Sequence, residues 1–96
     1  MTMEEFQSAD LQQLQGLLLA MRFDAEGDWQ QAHVVAQEIE DRDGAWVHAY
    51  LHRKEGDRMN AAYWYRRAGQ PIATGEFSAE WEAIVRALLN RPQAKT

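Results

Sequence analysis

The chain has 96 residues, 46% of them hydrophobic and 26% charged, with a net charge of −5 and no cysteine. That composition describes one folded domain with a modest core, not a disordered segment. It also excludes disulfides, thiolate nucleophiles and cysteine metal sites, and an acidic chain is a poor general binder of nucleic acid.

The acidic start Met1-Thr2-Met3-Glu4-Glu5 is unlike a signal peptide, and the run Leu17-Leu18-Leu19 is too short to span a bilayer. A cytoplasmic location without membrane or nucleic-acid partners is therefore expected. Charge is unevenly spread. Residues 1–43 hold ten acids against Arg22 and Arg42, whereas residues 44–72 hold Arg53, Lys54, Arg58, Arg66 and Arg67 against Glu55 and Asp57. The basic middle suits a small anion or an acidic peptide end.

In chain order, Ser8 reads as the N-cap of a first helix, with Leu11, Leu14, Leu18, Met21 and Ala25 as its apolar stripe. A capping box at Thr2 and Glu5 is the alternative start. Gly27 ends that helix and Asp28 caps a second, which carries Trp29, Ala32, Ala36 and Ile39. Asp43-Gly44 is expected to break it and begin a third helix through Trp46, Ala49, Tyr50 and Arg53. Gly56-Asp57 repeats the stop-and-cap device before a fourth helix with Ala61, Tyr65 and Ala68, ended by Gly69. After a loop, Ser78 reads as the cap of a fifth helix whose Trp81, Ile84, Val85, Leu88 and Leu89 share one face. The expected fold is all-α in a single domain. Hairpins 8–42 and 43–69 are antiparallel, followed by loop 70–77, a capping helix 78–90 and a tail 91–96. One tryptophan on each of helices two to five predicts aromatic core pillars.

The frame Ala-x5-Glu-Gly-Asp-x3-Ala occurs twice, from Ala20 to Ala32 and from Ala49 to Ala61, with a period of 29 residues. Small residues where two helices approach, a Gly-Asp turn, the aromatics Phe23 and Tyr65, and Pro71 after the second hairpin resemble tetratricopeptide-type repeats. The likeness covers residues 16–71, with a period shorter than the usual 34. It implies a helical-hairpin interaction module, of the kind that clamps carboxylate-bearing peptide ends with Lys, Arg and Asn side chains. The stretch His48 to Gly69 also resembles small uncharacterised bacterial helical proteins, a likeness that implies no activity.

The 29-residue shift sets Leu19 opposite His48 and Phe23 opposite His52, so the second unit places two imidazoles four residues apart where the first has apolar groups. Each ring needs a hydrogen-bond partner if buried, and Tyr63, Asn60 or the backbone are the expected ones. Glu55 extends the same face. His33 lies on another helix and no His-Glu-x-x-His motif is present, so neither a metal site nor a cofactor is expected. On the fourth helix Asn60, Tyr63 and Arg67 form a stripe in which Tyr63 and Arg67 can stack. Arg66 and Arg67 also suit the negative end of the helix dipole.

The expected role is a small non-enzymatic protein-interaction module. Its basic and aromatic groove, on the third and fourth helices, would recognise an acidic or carboxylate-bearing partner. His48, His52, Arg53, Asn60, Tyr63, Arg66 and Arg67 are the candidate binding residues. The alternatives are a small-molecule or hydrolytic site built on His48 and His52, and a self-associating structural protein such as a homodimer.

Overall fold

A computed structural model of the chain describes residues 1–91. The predicted tail 91–96 lies, beyond Arg91, outside the described residues. Among the described residues the structure is all-helical, with six α-helices and no strand.

The N-terminal region departs from the single helix expected from Ser8. The Thr2 capping box starts α1 (Met3–Ser8): the Thr2 hydroxyl accepts the Glu5 N–H at 3.1 Å, and the Glu5 carboxylate accepts the Thr2 N–H at 2.8 Å. Ser8 is the last residue of α1, its hydroxyl turned back onto the Glu4 carbonyl. A 3₁₀ turn at Leu11–Gln13 follows, and α2 (Gly16–Ala25) begins at Gly16 with φ of +65°. Burial explains the break. Folding α1 back onto the Trp81 face of the C-terminal helix buries Phe6 completely, with the two rings 5.9 Å apart, and Arg22 ties the joint by donating to the Phe6 and Ala9 carbonyls. A continuous helix would have left Phe6 in water, forfeiting about 2–3 kcal/mol of burial.

The two Glu-Gly-Asp sequences build turns of the same geometry. Gly27 and Gly56 have φ of +84° and +90°. The N–H of Asp28 reaches the Phe23 carbonyl at 2.8 Å, and that of Asp57 reaches His52 at 2.9 Å. Left-handed glycine with such a bond is a standard helix stop. The aspartates then cap α3 (Trp29–Gln37) and α5 (Arg58–Ala68) through the N–H groups of Gln31 and Asn60.

The expected break at Asp43-Gly44 falls elsewhere. α3 stops at Gln37, and Asp41 caps α4 (Arg42–Lys54) by accepting the Gly44 N–H at 2.7 Å. Asp43 and Gly44 sit inside the first turn of α4. Gly44 serves close approach instead of a turn: a Cβ there would lie 2.0 Å from the Ile39 carbonyl oxygen. α6 (Phe77–Leu89) starts one residue before Ser78, with Glu76 at the cap position and no side-chain cap bond.

α2 packs on α3, α3 on α4 and α4 on α5, while α6 crosses α2 and α4 and is covered by α1. The alanines Ala32, Ala36, Ala49 and Ala61 let the neighbouring helices approach, around Met21, Val47, Tyr50, Leu51, Ile84 and Val85. The expected tryptophan pillars are only half-buried. Phe6, Tyr50 and Tyr65 are the fully buried aromatics. An indole N–H must stay near an acceptor. Trp29 donates to the Leu51 carbonyl and Trp81 to that of Met21, so these rings brace helix joints at the edge of the core. No helix among the described residues is long and apolar enough to cross a membrane.

Candidate functional site: an imidazole cluster beside an arginine-rimmed groove

Two residues equidistant from the turn of an antiparallel helix pair face one another. The α3–α4 turn centres near residues 40–41, so His33 faces His48 and Trp29 faces His52. His48 and His52 are one turn apart on α4, and both are buried, while His33 is half-buried. The Nε2 atoms of His33 and His48 are 2.9 Å apart, one donating to the other. His52 Nδ1 lies 2.7 Å from a Glu55 carboxylate oxygen. All three imidazoles bring a ring nitrogen within 4.8 Å of the others.

Flat rings close the cluster on both sides. Trp29 stacks on His33 at 4.9 Å and Trp64 stacks on His48 at 4.1 Å. Burial, reinforced by the neighbouring His33 and His52, pushes the His48 pKa down to about 4. Burial, with His52 adding to it and Glu55 opposing, also lowers that of His33. Both rings are therefore neutral at neutral pH and present lone pairs. Tyr63 and Asn60, expected as partners of the two α4 histidines, do not reach them. Among the described residues the imidazoles hydrogen-bond to each other and to Glu55.

The remaining candidate residues divide between two ends of the α4–α5 pair. Arg53 leaves the groove side altogether. It donates to the buried Glu80 at 2.8 Å and to the Gly75 carbonyl, with its guanidinium 4.6 Å over the Phe77 ring. Lys54 pairs with the buried Asp24 at 2.9 Å, and the Tyr50 hydroxyl donates to the same carboxylate at 2.6 Å. These cations anchor α4 to α6 and α2. Asn60 is spent at the α5 N-terminus, donating to Asp57 at 3.0 Å. Arg66 is exposed in the last turn of α5.

Arg67 and Tyr63 do meet, as their spacing suggests. Arg67 Nη1 donates to the Tyr63 hydroxyl at 3.0 Å, and the guanidinium lies 5.2 Å from the Trp64 ring centre. Beside them is an open cavity of about 500 Å³, walled by Ile39, His48 and Trp64 and rimmed by Arg42, Arg67, Glu40 and Asp41. Of the seven candidate binding residues, His48 and Arg67 line it and Tyr63 flanks it. Arg42 and Trp64 escaped the sequence reading as groove residues, as did His33 as a member of the imidazole cluster. The hairpin geometry was the available signal, since α3 and α4 are themselves antiparallel neighbours joined by a short turn.

No protein-family profile, curated protein or solved structure matches this chain. The chemistry of the site is accordingly read from its own geometry.

Proposed function

We propose that the protein is a small non-enzymatic interaction module that holds a carboxylate-bearing peptide end in the groove between the α3–α4 turn and the last turns of α5. One observation carries this reading. Arg42 and Arg67 share the rim of one aromatic-walled groove, and neither forms an ion pair among the described residues. Arg22, Arg53, Arg86 and Arg91 are paired with carboxylates, and the other two arginines without an ion pair among the described residues, Arg58 and Arg66, lie outside this groove. A guanidinium presents several N–H donors in a plane, which matches a carboxylate better than an ammonium does. Stacking on Trp64 and the bond to Tyr63 hold the Arg67 fork in place, so little side-chain entropy remains to be lost on binding.

The partner chemistry narrows from the sequence expectation. Glu40 and Asp41 stand on the same rim and balance the charge of the two arginines, so the groove suits a single carboxylate beside peptide N–H groups and disfavours a run of acids. Selection from a library of short peptides with free C-termini, followed by titration of tryptophan fluorescence, tests the reading. Amidating the selected peptide's C-terminus and replacing Arg67 by Gln should each weaken binding about tenfold. Affinity that survives both changes would refute the carboxylate clamp.

A further inference from the structure

We infer that His33, His48 and His52 bind one divalent transition-metal ion of the zinc class, with Glu55 orienting His52 from the second sphere. The three ring nitrogens already lie within 4.8 Å of one another, drawn from two helices and from both sides of the α3–α4 interface. Two of them, the Nε2 atoms of His33 and His48, are 2.9 Å apart and share a single proton. On metal binding the donor ring carries that proton on its own Nδ1 instead, so that both Nε2 lone pairs face the ion. Zinc–nitrogen bonds of about 2.0–2.1 Å in a tetrahedron set a nitrogen–nitrogen edge of about 3.3 Å. Opening this pair by about 0.4 Å reaches that edge, and the His52 nitrogen, within 4.8 Å of the other two, closes to it by a rotation of its ring.

The third ligand is prepared by its neighbour. Glu55 sits 2.7 Å from His52 Nδ1, so the neutral ring carries its proton on that nitrogen and offers the Nε2 lone pair to an ion. A carboxylate behind a histidine in this way fixes the tautomer and raises the basicity of the ligand. Trp29 and Trp64, stacked on His33 and His48, hold the other two rings in orientation and supply an apolar surround. Three imidazoles select zinc, copper, nickel or cobalt over calcium and magnesium, which require oxygen ligands. A tetrahedral ion held by three nitrogens keeps a fourth position for water. The site goes beyond the carboxylate clamp: His48 and Trp64 also wall that groove, but the clamp rests on Arg42 and Arg67 and the metal on three imidazoles, so either can fail alone.

The test uses the full chain without an affinity tag, stripped with EDTA and titrated with ZnCl₂ by calorimetry. Cobalt(II) serves as a spectroscopic probe. One ion per chain is expected, with a dissociation constant below about 1 μM, a melting temperature that rises with zinc, and the visible absorption of tetrahedral cobalt. His33→Gln removes a half-buried ligand with the least disturbance to the core and should weaken binding about a hundredfold, and Glu55→Gln about tenfold. Should His48→Gln fail to fold, the His33 and Glu55 variants still decide the matter. No saturable binding by the wild type, or equal affinity in wild type and His33→Gln, would overturn the assignment and leave the imidazoles as a hydrogen-bonded stack.

Discussion

Replacing Arg53 by Met retains much of the apolar stem and removes the guanidinium that neutralises Glu80. The Glu80 side chain is 7% exposed and that of Arg53 is 16% exposed, with nitrogen and oxygen 2.8 Å apart. After the substitution Glu80 keeps only the Tyr65 hydroxyl as a donor. Stranding one partner of a buried pair costs about 3–5 kcal/mol. The surviving Tyr65 bond places the expected loss near the lower figure, about 3 kcal/mol. For a domain of this size that lowers the melting temperature by roughly 15 °C. Thermal unfolding followed by circular dichroism, with urea unfolding for free energies, reads it directly. A second substitution, Glu80→Gln, should recover at least half of the loss in the Arg53→Met background, because the stranded charge is then gone; the coupling in the double-mutant cycle should reach about 2 kcal/mol. A loss under about 1 kcal/mol with additive substitutions would refute the anchoring role and return Arg53 to the pool of groups free to bind a partner.

Two further outcomes follow from the site and its turn. The folded His48 takes up its proton near pH 4, whereas the unfolded chain does so near 6.5, so its contribution to stability is complete above pH 6.5 and is lost as pH falls toward 4. The full shift sets a ceiling of about 3 kcal/mol, and about 1–2 remain after allowing for solvent at the cluster's half-exposed edge. Metal-free urea unfolding between pH 7 and 4 should show that slope in the wild type and a shallower one in His48→Phe; parallel slopes would count against it. Gly44→Ala drives a methyl group into the Ile39 carbonyl oxygen and should destabilise the fold by at least about 2 kcal/mol. An unchanged urea midpoint would show that the α3–α4 turn is looser than the structure has it.

Helix content, the two Glu-Gly-Asp turns and the aspartate caps were legible because each depends on residues within five positions of one another. Gly27 needs only its own left-handed φ, and Asp28 only the N–H of Gln31. The short-range signals that misled did so where a distant group won. Ser8 has the chemistry of an N-cap, but burying Phe6 against Trp81, 75 positions along, closed α1 there instead. Gly44 has the chemistry of a breaker, yet its lack of a side chain serves the close passage of Ile39.

The site divides along the same line. The pairing of Tyr63 with Arg67, and the shared face of His48 and His52, follow from helical periodicity and needed no tertiary knowledge. Arg53 and Lys54 follow His52 directly in sequence, and nothing local tells a cation that will clamp a ligand from one that will neutralise a buried Glu80 or Asp24. Those carboxylates lie 27 and 30 residues away. His33 joined the cluster, and Arg42 the groove, only once the length of the α3–α4 turn had set which residues stand opposite one another. A helix specifies its own faces through bonds between residues four apart, but which face meets which neighbour is decided by loop closure and the burial of distant apolar groups. That decision turned the imidazoles into a cluster and left Arg42 and Arg67 unpaired.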